Sequence, residues 1–321
     1  MADLFEHDCG DLLVLGLGSF GGRIAARGAE DSGELHTLSS VRWSAAHTQP
    51  AELIATGLEK KVLLSAIDGP FAAQRAKHSV EQRRPEIARL VEGKSCALIV
   101  ASLAEPSVRA LMPPLAQAIA ESRDISVCAI LAEPALPAGP TADGSAIETA
   151  LKEINFAADV TIRVPRKVLV AGMEQAPVGV LQSSAEQKTL LLVRTLLGVM
   201  SHEATGTLSM QALRERARGS GAVLSGLGLA DNAESAVDAA FASLDLDAQA
   251  FEKKGAAMAV LTERDISASE AQSIMERFRG EAAAPTALIA FASHNSTGSG
   301  AACVVLLRQS AARNVVSLCV Q

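Results

Sequence analysis

The stretch "LLVLGLGSFGGRIA", residues 12–25, constrains this chain more than any other. An apolar run of strand length stops at four glycines, Gly16, Gly18, Gly21 and Gly22, and a helix-compatible segment follows. A strand that feeds a helix through a glycine turn is a building block of α/β proteins. Such a turn aims backbone N–H groups at a point where a phosphate can sit. The glycines also have a reading without a ligand: lacking Cβ atoms, they let strand and helix approach closely. A lone G-x-G-x-x-G is weak support for a ligand, so packing is the preferred reading of these four residues.

The first half of the chain repeats this alternation. Strands are expected at 11–16, 35–43, 61–66, 96–102, 125–132 and 159–164, with helices at 21–30, 71–92, 106–122 and 144–155. The runs at 96 and 125 are continuously apolar, as parallel strands covered on both faces must be. The segment "SAEQKTLLLVRTLLGVMSHEA" (184–204) is apolar around most of its circumference and predicts a long buried helix. Beyond it, Asp231 and Glu234 make a capping-box-like start to a helix over 231–244. Strands at 256–264, 286–294 and 301–309 and a helix at 267–281 complete a smaller α+β unit, with glycine- and serine-rich punctuation at 218–228 and 295–300. The expected architecture is an open, mostly parallel α/β sheet domain over 1–180, a central helix over 181–205, and a C-terminal α+β domain over 206–321.

Composition narrows the function. With 321 residues the chain can bury a large core. Aromatics are 3% of it, with no Tyr, which argues against a base-stacking nucleic-acid surface. A net charge of −7 disfavours phosphate backbones and anionic membranes as partners. Five cysteines without C-x-x-C read as buried thiols in a reducing compartment. The six histidines are scattered, so no metal site is expected. No apolar run reaches the ~20 residues of a membrane span, and the acidic start "MADLFEHDCGD" is not a signal peptide. A cytoplasmic protein with no direct membrane anchor is the expectation.

Order and spacing of these segments resemble FtsZ, the bacterial member of the tubulin superfamily. The likeness runs over roughly residues 11–309. It is carried by "LGLGSFGGRI", by "KHSVEQRRPEIARLVEGKSCALIVAS", by "AEPALPAG" (132–139), by "VPRKVL" (164–169), and by "RERARGSGAVLSGLGLADNAESAVDAAFASL". The resemblance implies an FtsZ/tubulin-like fold: a nucleotide-binding α/β domain, a central helix and a smaller C-terminal domain. It also implies GTP or GDP as the ligand if the nucleotide site is retained, and filament assembly as the activity.

The departures fall where the family's chemistry lies. Its glycine-rich signature loop corresponds to Ala104, Glu105, Pro106, Ser107, Val108, Arg109 and Ala110. No glycine remains, Pro106 has no N–H to donate, and Glu105 puts a carboxylate where the phosphate should lie. The preferred reading is a helix start in which an anion cradle has become a cap, with Glu105 in the old anion position. The opposing reading has Arg109 gripping a different anion. The base-recognition positions implied by the family fall on Arg166, near Gln182 and Gln187, and near Ala138 and Asp143, so its aromatic wall and guanine-reading acid are missing. Arg166 and Gln187 read as solvated surface. The water-orienting residues of the catalytic loop correspond to Thr207, Ser209 and Ala212, none a carboxylate, and Glu215 one turn later is expected to face solvent.

The resulting expectation is an FtsZ-like pseudo-GTPase, not an enzyme, with no cofactor, acting through protein–protein assembly with itself or with an FtsZ/tubulin-like filament. With Gln321 following soon after the last expected strand, no flexible adaptor-binding tail of the kind usual in the family is expected. Two alternatives stay open. One is a divergent GTP-binding, filament-forming GTPase. The other is an NAD(P)-binding Rossmann-type oxidoreductase, for which Arg42 would take the 2′-phosphate of NADP.

Overall fold

A computed structural model describes residues 12–32, 41–67, 69, 71–123, 125–136, 143–173, 175–200, 205–206, 208, 210–217, 223–244, 256–262, 266–282, 287–293 and 300–308. The first half builds β1 (Leu12–Leu17), α1 (Gly18–Ser32), β2 (Arg42–His47), α2 (Pro50–Ala55) and β3 (Lys60–Leu63). It continues through α3 (Ala72–Gln82), α4 (Arg84–Leu90), β4 (Cys96–Ser102), α5 (Pro106–Arg123), β5 (Ser126–Ala132), α6 (Asp143–Ala157), β6 (Val160–Val164) and α7 (Arg166–Val170). The central helix α8 spans Val178–Met200. After it come β7 (Thr205–Gly206), α9 (Met210–Ala217), β8 (Val223–Ala230), α10 (Ala233–Ser243), β9 (Ala257–Thr262), α11 (Ala268–Glu281), β10 (Leu288–Ser293) and β11 (Ala301–Arg308).

The eleven strands among the described residues join one sheet, in the order β3-β2-β1-β4-β5-β6-β8-β11-β9-β10-β7. The pairs from β3 to β8 are parallel. β11 runs antiparallel to both β8 and β9. The two halves of the sheet meet through a short seam, Ile162 opposite Val223 and Arg163 opposite Leu224. β4 and β5 are buried along almost their whole length, which explains their unbroken apolar sequence. α8 supplies Leu192, Val193, Leu196 and Leu197 to the largest core cluster, which holds residues of both halves of the sheet. No helix among the described residues is long and apolar enough to cross a membrane.

Several boundaries differ from the expectations. The helix expected over 71–92 is two helices, because Pro85 in the first turn of α4 has no N–H with which to continue α3. α1 starts at Gly18 rather than residue 21, and α8 starts at Val178 rather than residue 181, while residues 201–204 of the expected helix lie outside the described residues. β2 is displaced toward the C-terminus, and residues 35–40 of the expected strand lie outside the described residues. The largest correction concerns 218–228. Residues 223–228 are strand, not punctuation: Gly226 and Gly228 lie inside β8, where α10 presses on it. A Cβ on Gly228 would come within 1.9 Å of the Ala236 carbonyl oxygen. These glycines serve close helix–strand packing instead of a turn. The start of α10 is also shifted: Asn232, not Asp231, is its N-cap, with its side chain accepting from Ser235 N–H.

Candidate functional site: a cleft at the switch point of the sheet

Strand order 3-2-1-4-5-6 reverses direction between β1 and β4, and open α/β sheets bind ligands beyond the carboxyl ends of the strands at such a point. α1 starts there from β1, and the loop to α5 starts there from β4. Two cavities flank the start of α1. One, about 390 Å³, lies between α1, α2 and α8 and includes Ser19, Arg23, Arg27, His47 and Glu186. The other, about 320 Å³, lies on the β5 side and includes Ser19, Phe20, Glu105, Glu133 and Gln182.

Between them the α1 N-terminus is filled from within the chain. The Glu105 carboxylate accepts hydrogen bonds from Ser19 N–H (Oε2, 3.0 Å) and Phe20 N–H (Oε1, 3.0 Å). Helix starts leave such donors unpaired and favour negative charge, so this is a strong carboxylate seat. Gly18 makes room for it. Its φ is +76°, and a Cβ there would lie 2.5 Å from Glu105 Oε2 and 2.5 Å from Val108 Cγ2. Gly16 and Gly21 have a different job. A Cβ on Gly21 would stand 2.1 Å from the Val100 carbonyl oxygen, and one on Gly16 2.1 Å from that of Gly21. They let α1 lie against β1 and β4. Gly22 faces Thr56 at ordinary contact distance and lines the larger cavity.

A second carboxylate repeats the arrangement. Glu133 accepts from the Arg166 N–H at the start of α7 (2.8 Å) and from Arg163 Nε. The Arg166 side chain donates through Nε to the Ala135 carbonyl (2.9 Å), so it is engaged with the chain and is not simply solvated. Arg109 donates to the Leu103 carbonyl at 2.7 Å. Pro106 is the first residue of α5.

On the other side of α1, Glu186 is buried and takes the Arg23 guanidinium at 2.8 Å, with Arg27 at 4.0 Å. Gln187 is exposed and lines neither cavity. The family register points to Gln182 and Gln187, which are five residues apart and so on different helix faces. Gln182 and Glu186 are four apart and share one. An acid therefore stands at the cleft wall after all, neutralised by Arg23. His47, which no sequence motif marks, ends β2 and reaches Ser19. Gln49 N–H donates to His47 Nδ1 (2.8 Å), so the proton sits on Nε2 and points at Ser19 Oγ (3.0 Å). With its Nε2 already protonated, His47 cannot take the Ser19 proton, and the Ser19 hydroxyl is left to donate into the cavity.

Arg42 lies at the first residue of β2, the end of the sheet opposite the cleft. Its guanidinium binds the Leu90 carbonyl (2.7 Å) and the Glu92 carbonyl (3.1 Å). It cannot serve a dinucleotide in the cleft, which removes the residue on which the NADP reading rested. Thr207, Ser209 and Ala138 lie outside the described residues. Asp143 is the first residue of α6. Ala212 is half-buried against the core, and Glu215 is exposed, with Gln211 donating to it. No group of three potential metal ligands occurs among the described residues.

No family model matches the chain, and no curated protein matches it. Solved structures do. An empty FtsZ dimer from M. jannaschii superposes with a TM-score of 0.78 at 16% identity, over 93% of this chain and 88% of that one. A tryptophan-to-tyrosine mutant of M. jannaschii FtsZ gives 0.76 at 17% identity, over 94% and 91%. CetZ2 from Haloferax volcanii, solved as a GTPγS-bound protofilament, gives 0.68 at 18% identity, over 92% of both chains. Together with the strand order and the central helix, these likenesses over nearly the whole chain establish that this protein has the fold of FtsZ and CetZ.

Proposed function

We propose that this chain is a cytoplasmic filament-type protein that works by assembly with copies of itself and runs no GTP cycle. The observation that carries the reading is the Glu105 carboxylate on the Ser19 and Phe20 N–H groups. A phosphate at this helix start would need those donors and would meet a fixed negative charge. Glu133 occupies the N–H donor at the start of α7 in the same way. The catalytic-loop positions carry Thr207, Ser209 and Ala212, which cannot orient water as a carboxylate does. Neighbours of the same fold were solved as an empty dimer and as a protofilament, which supports self-assembly as the retained activity.

The test begins with denaturing the purified protein and chromatographing the supernatant. No guanine nucleotide is expected, nor GTP turnover at any protein concentration, and sedimentation is expected to be the same with and without GTP. Stoichiometric bound nucleotide, or turnover rising with protein concentration, would replace this reading with that of a divergent GTPase. Sedimentation only after adding an FtsZ-type filament would make that filament, instead of a second copy, the partner.

A further inference from the structure

The cavity between α1, α2 and α8 has chemistry of its own. α1 and α8 run in the same direction, tied at two points: Arg23 and Arg27 to Glu186, and Asp31 to Arg194. The tie points are eight residues apart on each helix, about 12 Å along the axis. Three guanidinium groups therefore share two carboxylates along this seam. Burial pushes the Arg194 pKa down, and the nearby Arg27 charge adds to that shift.

Arg27 is the group left short. Its one ion pair, to Glu186, is 4.0 Å long, and it makes no hydrogen bond among the described residues. Its side chain is 44% exposed and lines the cavity, beside the half-exposed Arg23. A guanidinium carries five N–H donors in a planar fork suited to an oxyanion. The Ser19 hydroxyl, whose oxygen accepts the hydrogen bond from His47 Nε2–H, supplies one more donor at the inner end. Across the cavity the exposed Glu52 makes no ion pair among the described residues and suits a hydroxyl or amino group of the same ligand.

We propose that this cavity binds a small organic oxyanion, a carboxylate or phosphate on a hydroxylated or aminated body, through Arg27 and Arg23 on the flank of α1. The site is distinct from the helix start that Glu105 fills. It deepens the proposed function by giving a nucleotide-independent protein a means of sensing a metabolite, and it rests on that reading only for its regulatory meaning.

Calorimetric titration with malate and with glycerol 3-phosphate tests it, each on the wild type, Arg27→Gln and Glu105→Gln. Saturable binding of at least one probe is expected. It should weaken about tenfold or more in Arg27→Gln, whose melting temperature stays near wild type, and should persist in Glu105→Gln. Absence of binding up to tens of millimolar, or binding indifferent to Arg27→Gln, overturns the inference. Binding that Arg27→Gln leaves alone and Glu105→Gln strengthens would place the anion at the α1 start, which sinks this inference and leaves the Glu105 reading intact. GTP binding by the wild type would sink the proposed function and leave the Arg27 result to stand on its own.

Discussion

The starts of helices α1 and α11 both use a glutamate carboxylate, and the two glutamates come from different places. At α11 the cap is local: Ser267 accepts from Glu270 N–H (3.2 Å), and Glu270 accepts from Ser267 N–H (3.0 Å). At α1 the carboxylate comes from Glu105, at the far end of β4, across the switch point of the sheet. A local cap satisfies helix donors and does nothing else. A cap brought in by the fold satisfies the same donors and also occupies the position where an open α/β sheet would hold an anion. The same electrostatics serves helix stability in one case and the fate of a binding cleft in the other.

The sheet beneath both helices is sealed alike. Burial pushes the Cys96 thiol up to about 12 and holds the Cys128 and Cys303 thiols well above their ordinary range. At pH 8 the thiolate fraction at Cys96 should be roughly a thousandfold below that of an ordinary cysteine and rise only as the pH nears 12. Mass spectrometry after iodoacetamide at pH 8 should find these three cysteines unmodified in native protein and modified after unfolding.

Next comes Gly18→Ala, whose Cβ would collide with Glu105 and Val108 at positive φ. A loss of about 3 kcal/mol in denaturant unfolding is expected. A loss below about 1 kcal/mol would mean that Glu105 is easily displaced. Glu105→Ala should cost about 2 kcal/mol, since it strips a charged acceptor from two N–H groups. Ser267→Ala should cost about 1 kcal/mol. Equal losses would break the contrast between the two caps. The smallest change is Arg27→Gln, within about 0.5 kcal/mol of wild type, because its ion pair is long and half-exposed.

Much of the sheet is legible in the sequence, for physical reasons that individual segments make plain. A continuous apolar run as short as 96–102, set between polar segments, reads as a strand covered on both faces, and the structure places β4 there. The central helix is legible from its all-round apolarity. Glycine misleads in β8, because Gly226 and Gly228 look like turn residues until α10 is seen lying on them. At the cleft, Glu105 stands out as a charge in a loop where the resembled family has glycine. Its bonding partners cannot be read, because Ser19 and Phe20 lie 86 and 85 residues away. Glu186 differs from Gln187 by one residue, which on a helix is a rotation of about 100°.

Local patterning determines most of the strands and helices and the alternation that makes a parallel sheet, because each depends on residues within a few positions of one another; β8 is the exception, since its glycines make sense only beneath α10. The tertiary structure alone decides which helix start Glu105 caps, which arginines Glu186 neutralises, and that Arg27 makes no hydrogen bond among the described residues. Those outcomes depend on the distance between groups that sequence separation does not encode, and at the switch point of this sheet it is the fold that brings the Glu105 carboxylate to the start of α1.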